Sequence, residues 1–464
     1  MFTSSLDALD STDLGFHIGP ICVNSVCCAD DMYVLSDRQS GLQGAMDIVS
    51  HYAKRYRVIF NADKTKIVVT GSKLDMTYYQ DICPWFLNGE QVSVVTDNEH
   101  LGIVVSGLDE EQKKVHRQIS QCRDSLFSLL GPALSYKCKL SPVVQLHLWK
   151  TYSLPVLCSG LSALPIRPTT MKPLQVFQHK ILRGFLKLGP TSPVPGLFFL
   201  LGELPIEATL HCNLLALFHS IWVNPQTKIF EMAAYIMKMA DDLSTTWSYH
   251  VRLICLKYSL PDPLRLLEQP PMSKQAWKTL VRNRITVFHE KQQRHLALNN
   301  SRLTYFNVQI LGLSGLPHPV IRFISETRSA MKMRAHLKLL TGDFLSYERL
   351  ASDRGGSPHC RLCLASVETT QHILLECSAT AETRQRLFPE LLNLIASIQP
   401  NSSLLNNRTP NSIITQFILD PTAMNLQNGY RISNIHPNLK EVICLSRDWC
   451  YAVTRLRHKL LQEL

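Results

Sequence analysis

Two stretches of this chain carry residue types that can do chemistry. The first is C-R-L-C-L-A-S-V-E-T-T-Q-H-I-L-L-E-C, which sets out Cys360-x2-Cys363-x8-His372-x4-Cys377. Three thiolates and an imidazole are the donor set of a tetrahedral zinc: the C-x-x-C pair bites the metal from a tight turn, and His372 and Cys377 follow on what reads as a helix. With four protein donors the ion has a structural role, because a catalytic zinc keeps one position open. The competing reading is chance grouping in a chain with fourteen cysteines. The other cysteines show no comparable cluster. His359 is a rival donor, but its place beside Cys360 makes simultaneous binding awkward. His289-Glu290 and His295 do not form a zinc-protease site, since that helix motif needs its histidines four residues apart and these are six apart.

The second stretch is Ile21 to Asp37, I-C-V-N-S-V-C-C-A-D-D-M-Y-V-L-S-D. Two β-prone runs around a short polar turn predict a hairpin with Asp30 and Asp31 at its tip. Paired carboxylates at a sheet rim suit Mg2+, which takes oxygen ligands from one or two acids plus substrate phosphates. Taken alone, Asp-Asp is equally ordinary turn chemistry.

The elements that must position these acids come next. Leu42, Met46, Val49, Tyr52, Ala53 and Tyr56 recur at helical spacing. F-N-A-D-K-T-K-I-V-V-T-G, Phe60 to Gly71, then returns the chain to a strand over Ile67–Thr70, with Lys64 and Lys66 at its start. Leu101-Gly102-Ile103-Val104-Val105 reads as a further strand.

This order of an A-D-D hairpin, a helix, N-x-x-K-T-K, a strand and L-G-I resembles the second half of the palm of reverse transcriptases from non-LTR (LINE-type) retrotransposons. The resemblance implies that Asp30 and Asp31 bind catalytic metal. It also implies that Asn61, Lys64 and Lys66 lie on the nucleotide side, with Lys64 taking part in catalysis, and that Leu101 and Gly102 grip the primer. S-P-x-V-x-x-H-L-W-K-T-Y-x-L-P-V-L, L-L-G-E-L-P-I-E and the E-T-x-x-H-x-L-x-x-C pattern at Glu368–Cys377 extend the resemblance through a thumb to a zinc knuckle. One departure counts against activity. The family's further metal-ligating Asp lies on a strand before the hairpin, and the twenty-nine residues ahead of Asp30 offer only Asp7, Asp10 and Asp13 in polar, helix-like sequence. The chain is therefore expected to be a truncated copy with little or no polymerase activity alone.

Composition agrees with a polyanion partner. Lys and Arg outnumber Asp and Glu by 48 to 37, a net charge of +11, and such a balance favours nucleic acid. An RNA template and a DNA primer or target are the partners the resemblance implies. No signal peptide or bilayer-spanning run is present, so the expected setting is reducing and intracellular, in nucleus or cytoplasm, with thiols rather than disulfides and without a membrane partner.

Beyond Glu110 the pattern turns helical, over Glu110 to Gly131-Pro132, Ser141-Pro142 to Pro155, Lys172–Leu188, Trp277–Leu296, Phe323–Leu340, Ala381–Ile398 and Ser446–Leu464. Pro261–Pro271 reads as a linker. Lys113, Lys114, Arg117, Lys137 and Lys139 are nominated for phosphate contacts, and Arg455, Arg457 and Lys459 as cations suited to a helix C-terminus. The expected class is α+β: a partial palm (small antiparallel sheet with a packed helix, 1–110), a helical thumb and connection (111–260), a basic helical region (272–352), a Cys3His knuckle (353–380) and a helical tail (381–464). Its cofactors would be structural Zn2+ and a Mg2+ site that is incomplete in this chain. The alternative function is a non-catalytic nucleic-acid-binding remnant.

Overall fold

The computed structural model describes residues 8–29, 31–61, 63–71, 78–79, 84–100, 103–106, 109–134, 140–239, 246–309, 312–313, 315–323, 327–398, 409–428 and 438–464. Asp30, Leu101, Gly102, Lys137 and Lys139 lie outside the described residues. Within them the chain is α+β and mostly helical, with short strands confined to its N-terminal part. Two compact units cut across the sequence divisions: Met1–Ser120 with Cys158–Met171 and Leu210–Arg284, and Gln121–Leu157 with Lys172–Thr209 and Ile285–Leu464.

The first unit begins with two hairpins. Strand β1 (Phe16–Ile18) pairs antiparallel with β2 (Ile21–Val23), and β3 (Ser25–Cys28) with β4 (Asp31–Val34). Asn24, buried between β2 and β3, accepts the Leu35 amide on its carbonyl at 2.8 Å. The single predicted hairpin is thus split, because Ile21–Val23 pairs back on Phe16–Ile18.

Helix Gln39–Tyr56 follows, burying Met46, Val49, Tyr52 and Ala53 of the predicted set and Ala45 besides, while Leu42 is half-buried and Tyr56, in the last turn, is exposed. Its apolar face packs on a three-stranded sheet in which β7 (Glu90–Val95) lies between β5 (Lys66–Val68) and β6 (Trp85–Leu87). Met46, Ile67, Trp85, Leu87 and Val92 form its core, each burial contributing about 1.5–3 kcal/mol. The β5–β7 pairing is parallel, so this sheet is mixed rather than wholly antiparallel. Gln43 completes the layer by accepting from the Phe86 amide and donating to the Phe86 carbonyl, both at 3.0 Å, as a neighbouring strand would. Strands β8 (Asp97–His100) and β9 (Ile103–Ser106) form a third hairpin.

The Pro261–Pro271 stretch is packed at its centre and exposed at both ends. Asp262 caps a helical turn, Pro263–Leu267, by accepting the Leu264 amide at 3.3 Å, with Pro263 in the first turn and Leu266 and Leu267 buried. An N-cap Asp before proline is a helix start signal, and it outweighs the flanking prolines.

The second unit is helical. Ser141 caps Pro142–Leu148 as expected, accepting from the Val144 amide at 3.3 Å. The helix passes beyond Pro155 to Cys158 through a π-turn at Trp149–Ser153. That wider turn lies one turn ahead of the proline, whose ring would otherwise crowd the carbonyl four residues back. Val194–Leu201 is buried nearly throughout. The C-terminal helix, Leu439–Gln462, starts earlier than Ser446 and inserts Leu439, Val442, Ile443, Trp449, Cys450 and Val453 against Thr327–Leu340 and Ala381–Ile398. Among the described residues every cysteine is a free thiol and no helix is long and apolar enough to cross a membrane.

Candidate metal centre

The knuckle is assembled from local hydrogen bonds. Cys360 donates its amide to the Ser366 carbonyl at 2.9 Å, Leu364 to the Cys360 carbonyl at 2.8 Å, and Glu368 to the Pro358 carbonyl at 2.9 Å. These close a small loop around Cys360 and Cys363, with His359 and Val367 paired at its base. Leu364 takes a φ of 59° at the turn, a left-handed conformation more at home with glycine.

The helix expected under His372 and Cys377 is a π-turn, His372–Glu376, with Cys377 as its C-cap. An α-helix advances about 100° per residue, so positions five apart would diverge by roughly 140°. The π-turn donates the Cys377 amide to the His372 carbonyl at 2.9 Å, which stacks the two residues over each other. The four-residue gap between these ligands thus works because the backbone is wound for it.

All four donor atoms lie within 4.8 Å of one another. Cys360 Sγ is 3.9 Å from Cys377 Sγ, and Cys363 Sγ is 3.4 Å from His372 Nε2. Ideal zinc–ligand bonds set tetrahedral edges of about 3.8 Å between sulfurs and about 3.5 Å between sulfur and nitrogen. The donors therefore fit one zinc ion, and they leave no position for substrate.

The surroundings are those of a metal ligand shell. Backbone amides of Leu362 and Cys363 hydrogen-bond to Cys360, and those of Ala365 and Ser366 to Cys363. Burial pushes the Cys360 thiol up and the Cys377 thiol to about 12; burial also raises Cys363, but hydrogen bonds from the Ala365 amide, the Cys360 and Cys377 thiols and the Ser366 amide together bring it below the usual thiol range. A divalent cation supplies the charge that makes three thiolates tolerable there. The other ring nitrogen of His372 faces the Glu376 carboxylate at 3.9 Å. Glu376 is held in turn by Gln371 at 2.6 Å and Asn411 at 3.0 Å. At that distance Glu376 adds its charge behind the imidazole without hydrogen-bonding it, and His372 Nδ1 is buried with no hydrogen-bond partner among the described residues.

One further pair, missed in sequence, ties the knuckle to the C-terminal helix. Glu368 is fully buried and takes a bidentate grip from Arg457, with Nε to Oε1 at 2.8 Å and Nη2 to Oε2 at 2.7 Å. Its Oε2 also accepts the Tyr347 amide at 2.7 Å. The guanidinium lies 5.2 Å from the Phe344 ring centroid and 5.5 Å from that of Tyr347. Arg457 is therefore an anchor rather than an exposed helix-end cation. Only the E-T-x-x-H context of Glu368 marked one half of the pair, and the 89-residue separation hid the other.

Among the described residues, the other sequence candidates are placed as follows. Asp31 is exposed and pairs with Cys28 across the β3–β4 hairpin. Ala29 has the positive φ of 58° that two-residue hairpin turns favour. Asn61 caps a turn, accepting the Lys64 amide on Oδ1 at 3.0 Å, and Lys66 donates to Ser93 Oγ at 2.8 Å. Lys64 is exposed.

Among the phosphate nominees, Lys113 pairs with Asp97 at 3.0 Å and Arg117 with Glu99 at 2.5 Å. Lys114 is fully buried, and burial, then the Arg117 charge, hold its ammonium below the usual lysine range. Lys113 and Arg117 are thus each matched by a carboxylate, and Lys114 is withdrawn from the surface. The described residues contain one other potential metal group, Asp13, His17 and Cys22. There His17 already bonds Asp13 through Nε2 at 2.7 Å and Asp37 through Nδ1 at 2.6 Å, so the group is a hydrogen-bonded clamp. In comparisons with known proteins, no family model and no curated protein sequence matches this chain.

Proposed function

We propose that this chain is a zinc-stabilised nucleic-acid-binding protein derived from the C-terminal part of a non-LTR retrotransposon reverse transcriptase. The single observation that carries the zinc half is the convergence of Cys360, Cys363, His372 and Cys377 within 4.8 Å. Zinc there supplies folding energy: it holds the knuckle so that Glu368 can lock Arg457 and the C-terminal helix. The nucleic-acid half is supported by the net charge of +11 and by the order of motifs, an acidic hairpin, a packed helix, an N-x-x-K-T turn and a knuckle. In this reading the first unit carries the palm-like hairpin, helical thumb-like segments follow, and the setting is nuclear or cytoplasmic.

Polymerisation is the weaker part of the resemblance. Two-metal phosphoryl transfer needs several carboxylates around one site, and Asp31 belongs to neither of the potential metal groups among the described residues. Mg2+ chemistry at the hairpin would need a further carboxylate, so the reading is binding without catalysis by this chain alone. Primer extension on an RNA template, run beside a salt titration of RNA and DNA binding, tests it. Binding that weakens steeply with salt, survives Asp30→Asn and Asp31→Asn, and comes without extension agrees with the proposal. Extension abolished by Asp31→Asn restores the enzyme, and absence of binding removes the nucleic-acid reading.

A further inference from the structure

The nominees on the Glu110–Leu134 helix being matched or buried, the structure holds a better candidate for phosphate contact. From Glu268 to Glu290 the chain has no intervening acid, and within this stretch runs the first half of helix Lys274–Leu298. Lys274, Lys278 and Arg282 are exposed and fall four residues apart. At about 1.5 Å of rise per residue they form one row about 12 Å long.

None of the three has a carboxylate partner among the described residues, unlike Lys113 and Arg117. Helix stability does not explain Lys274 either, since a cation in a first turn opposes the helix dipole. What the three cations create is a concentrated positive field. The element under them is firmly seated. Trp277 is buried and donates Nε1–H to the Leu215 carbonyl at 2.9 Å, and the Met272 carbonyl lies 2.9 Å from His219 Nε2.

We infer that the Lys274–Lys278–Arg282 row is a docking surface for a nucleic-acid backbone. This rests on the nucleic-acid reading above and names the surface that serves it. A strand of B-form duplex advances about 3.4 Å per phosphate, so the row spans three or four phosphates. The residues one position on from each cation, Gln275, Thr279 and Asn283, are exposed and polar. They can donate to phosphate and sugar oxygens, and no large apolar side chain is exposed within the row, the nearest being Met272 before it and Val287 after it, which sets nucleic acid above an anionic membrane.

The test is fluorescence anisotropy of the full chain with a short labelled DNA duplex of mixed sequence, titrated from about 50 to about 200 mM salt. Three lost phosphate contacts should flatten the slope of log affinity against log salt by about 2.7 in Lys274→Gln/Lys278→Gln/Arg282→Gln. Lys113→Gln/Arg117→Gln should leave the slope of the native chain unchanged. Circular dichroism must show the triple variant as helical as the parent, and charge reversal at Lys278 alone (Lys278→Glu) gives a second variant should it not. If the parent binds and the triple variant keeps its slope, the row is refuted while nucleic-acid binding stands. If the parent does not bind the duplex or the matching RNA, both fall, and binding to anionic vesicles instead would identify a membrane partner and overturn the inference.

Discussion

Replacing Glu368 by Gln removes one charge from the fully buried pair with Arg457 and keeps the side-chain shape. Three contacts of 2.7 to 2.8 Å converge on the carboxylate, two from Arg457 and one from the Tyr347 amide. A Gln side chain has a single acceptor oxygen, so its NH2 group must face another donor and the guanidinium is left buried without a counter-charge. Breaking a buried pair from one side costs about 3–5 kcal/mol. The Phe344 and Tyr347 faces still attract the guanidinium, which places the expectation near the lower figure.

At about 1.4 kcal/mol per tenfold, roughly 3 kcal/mol corresponds to amide exchange on the order of 10²-fold faster wherever opening exposes this pair. Hydrogen exchange read by mass spectrometry should show that acceleration across Leu439–Gln462 and Tyr347–Glu368, with helix Gln39–Tyr56 unchanged. A second arm removes both partners. Glu368→Gln with Arg457→Met should recover much of the protection, because the orphan charge is gone. Exchange in the single variant within about twofold of the parent, or a double variant no better than the single, would refute the claim that this pair locks the knuckle to the last helix.

Further expectations follow from individual groups. His336 is held neutral by burial, its pKa brought down from 6.5 to about 4, and its Nε2 meets the Leu419 carbonyl at 2.7 Å. The unfolded chain binds a proton there that the fold refuses, so stability is full above pH 6.5 and falls as pH drops towards 4. The slope is about 1.4 kcal/mol per pH unit, and denaturant titrations across that range should show His336→Leu flattening it. His17 behaves oppositely: hydrogen bonds to Asp13 and then Asp37 raise its pKa, while the His17 bond lowers that of Asp37. The clamp therefore holds fully below pH 6.5, weakens as pH rises through the raised histidine value, and opens again in acid as Asp37 protonates. An NMR titration placing the His17 ring at or below 6.5 would contradict it. Leu364 is exposed and left-handed, so Leu364→Gly should be tolerated or stabilising by up to about 1 kcal/mol, whereas a lowered thermal midpoint would show that the turn needs its side chain.

The parts of the fold legible in sequence are those set by local periodicity and spacing. The helix over Gln39–Tyr56 and the hairpin around residues 28–31 follow from residues that neighbour one another in the chain. So does Ser141-Pro142, whose cap needs no distant partner. The zinc ligands were legible because they lie within eighteen residues, Cys360 to Cys377.

What was not legible depends on where the chain returns. Lys113 and Arg117 read as free cations because Asp97 and Glu99, which neutralise them, are brought beside them only by the β8–β9 hairpin. Gly131-Pro132 read as a stop, yet the helix runs to Leu134. Arg457 read as a helix-end cation because its carboxylate lies 89 residues away. The π-turn at His372–Glu376 has no sequence signature of its own. Only the demand that two ligands five positions apart share a face could have suggested it.

The metal is what the knuckle and its hold on the last helix depend on. Inductively coupled plasma mass spectrometry of the full chain, purified without chelator beside Cys363→Ser, measures it directly. The expected result is one zinc per parent chain and little in the variant, with slower hydrogen exchange across Leu439–Gln462 in the loaded form. A parent chain that carries no zinc, takes up none on titration and exchanges no faster in EDTA would contradict it.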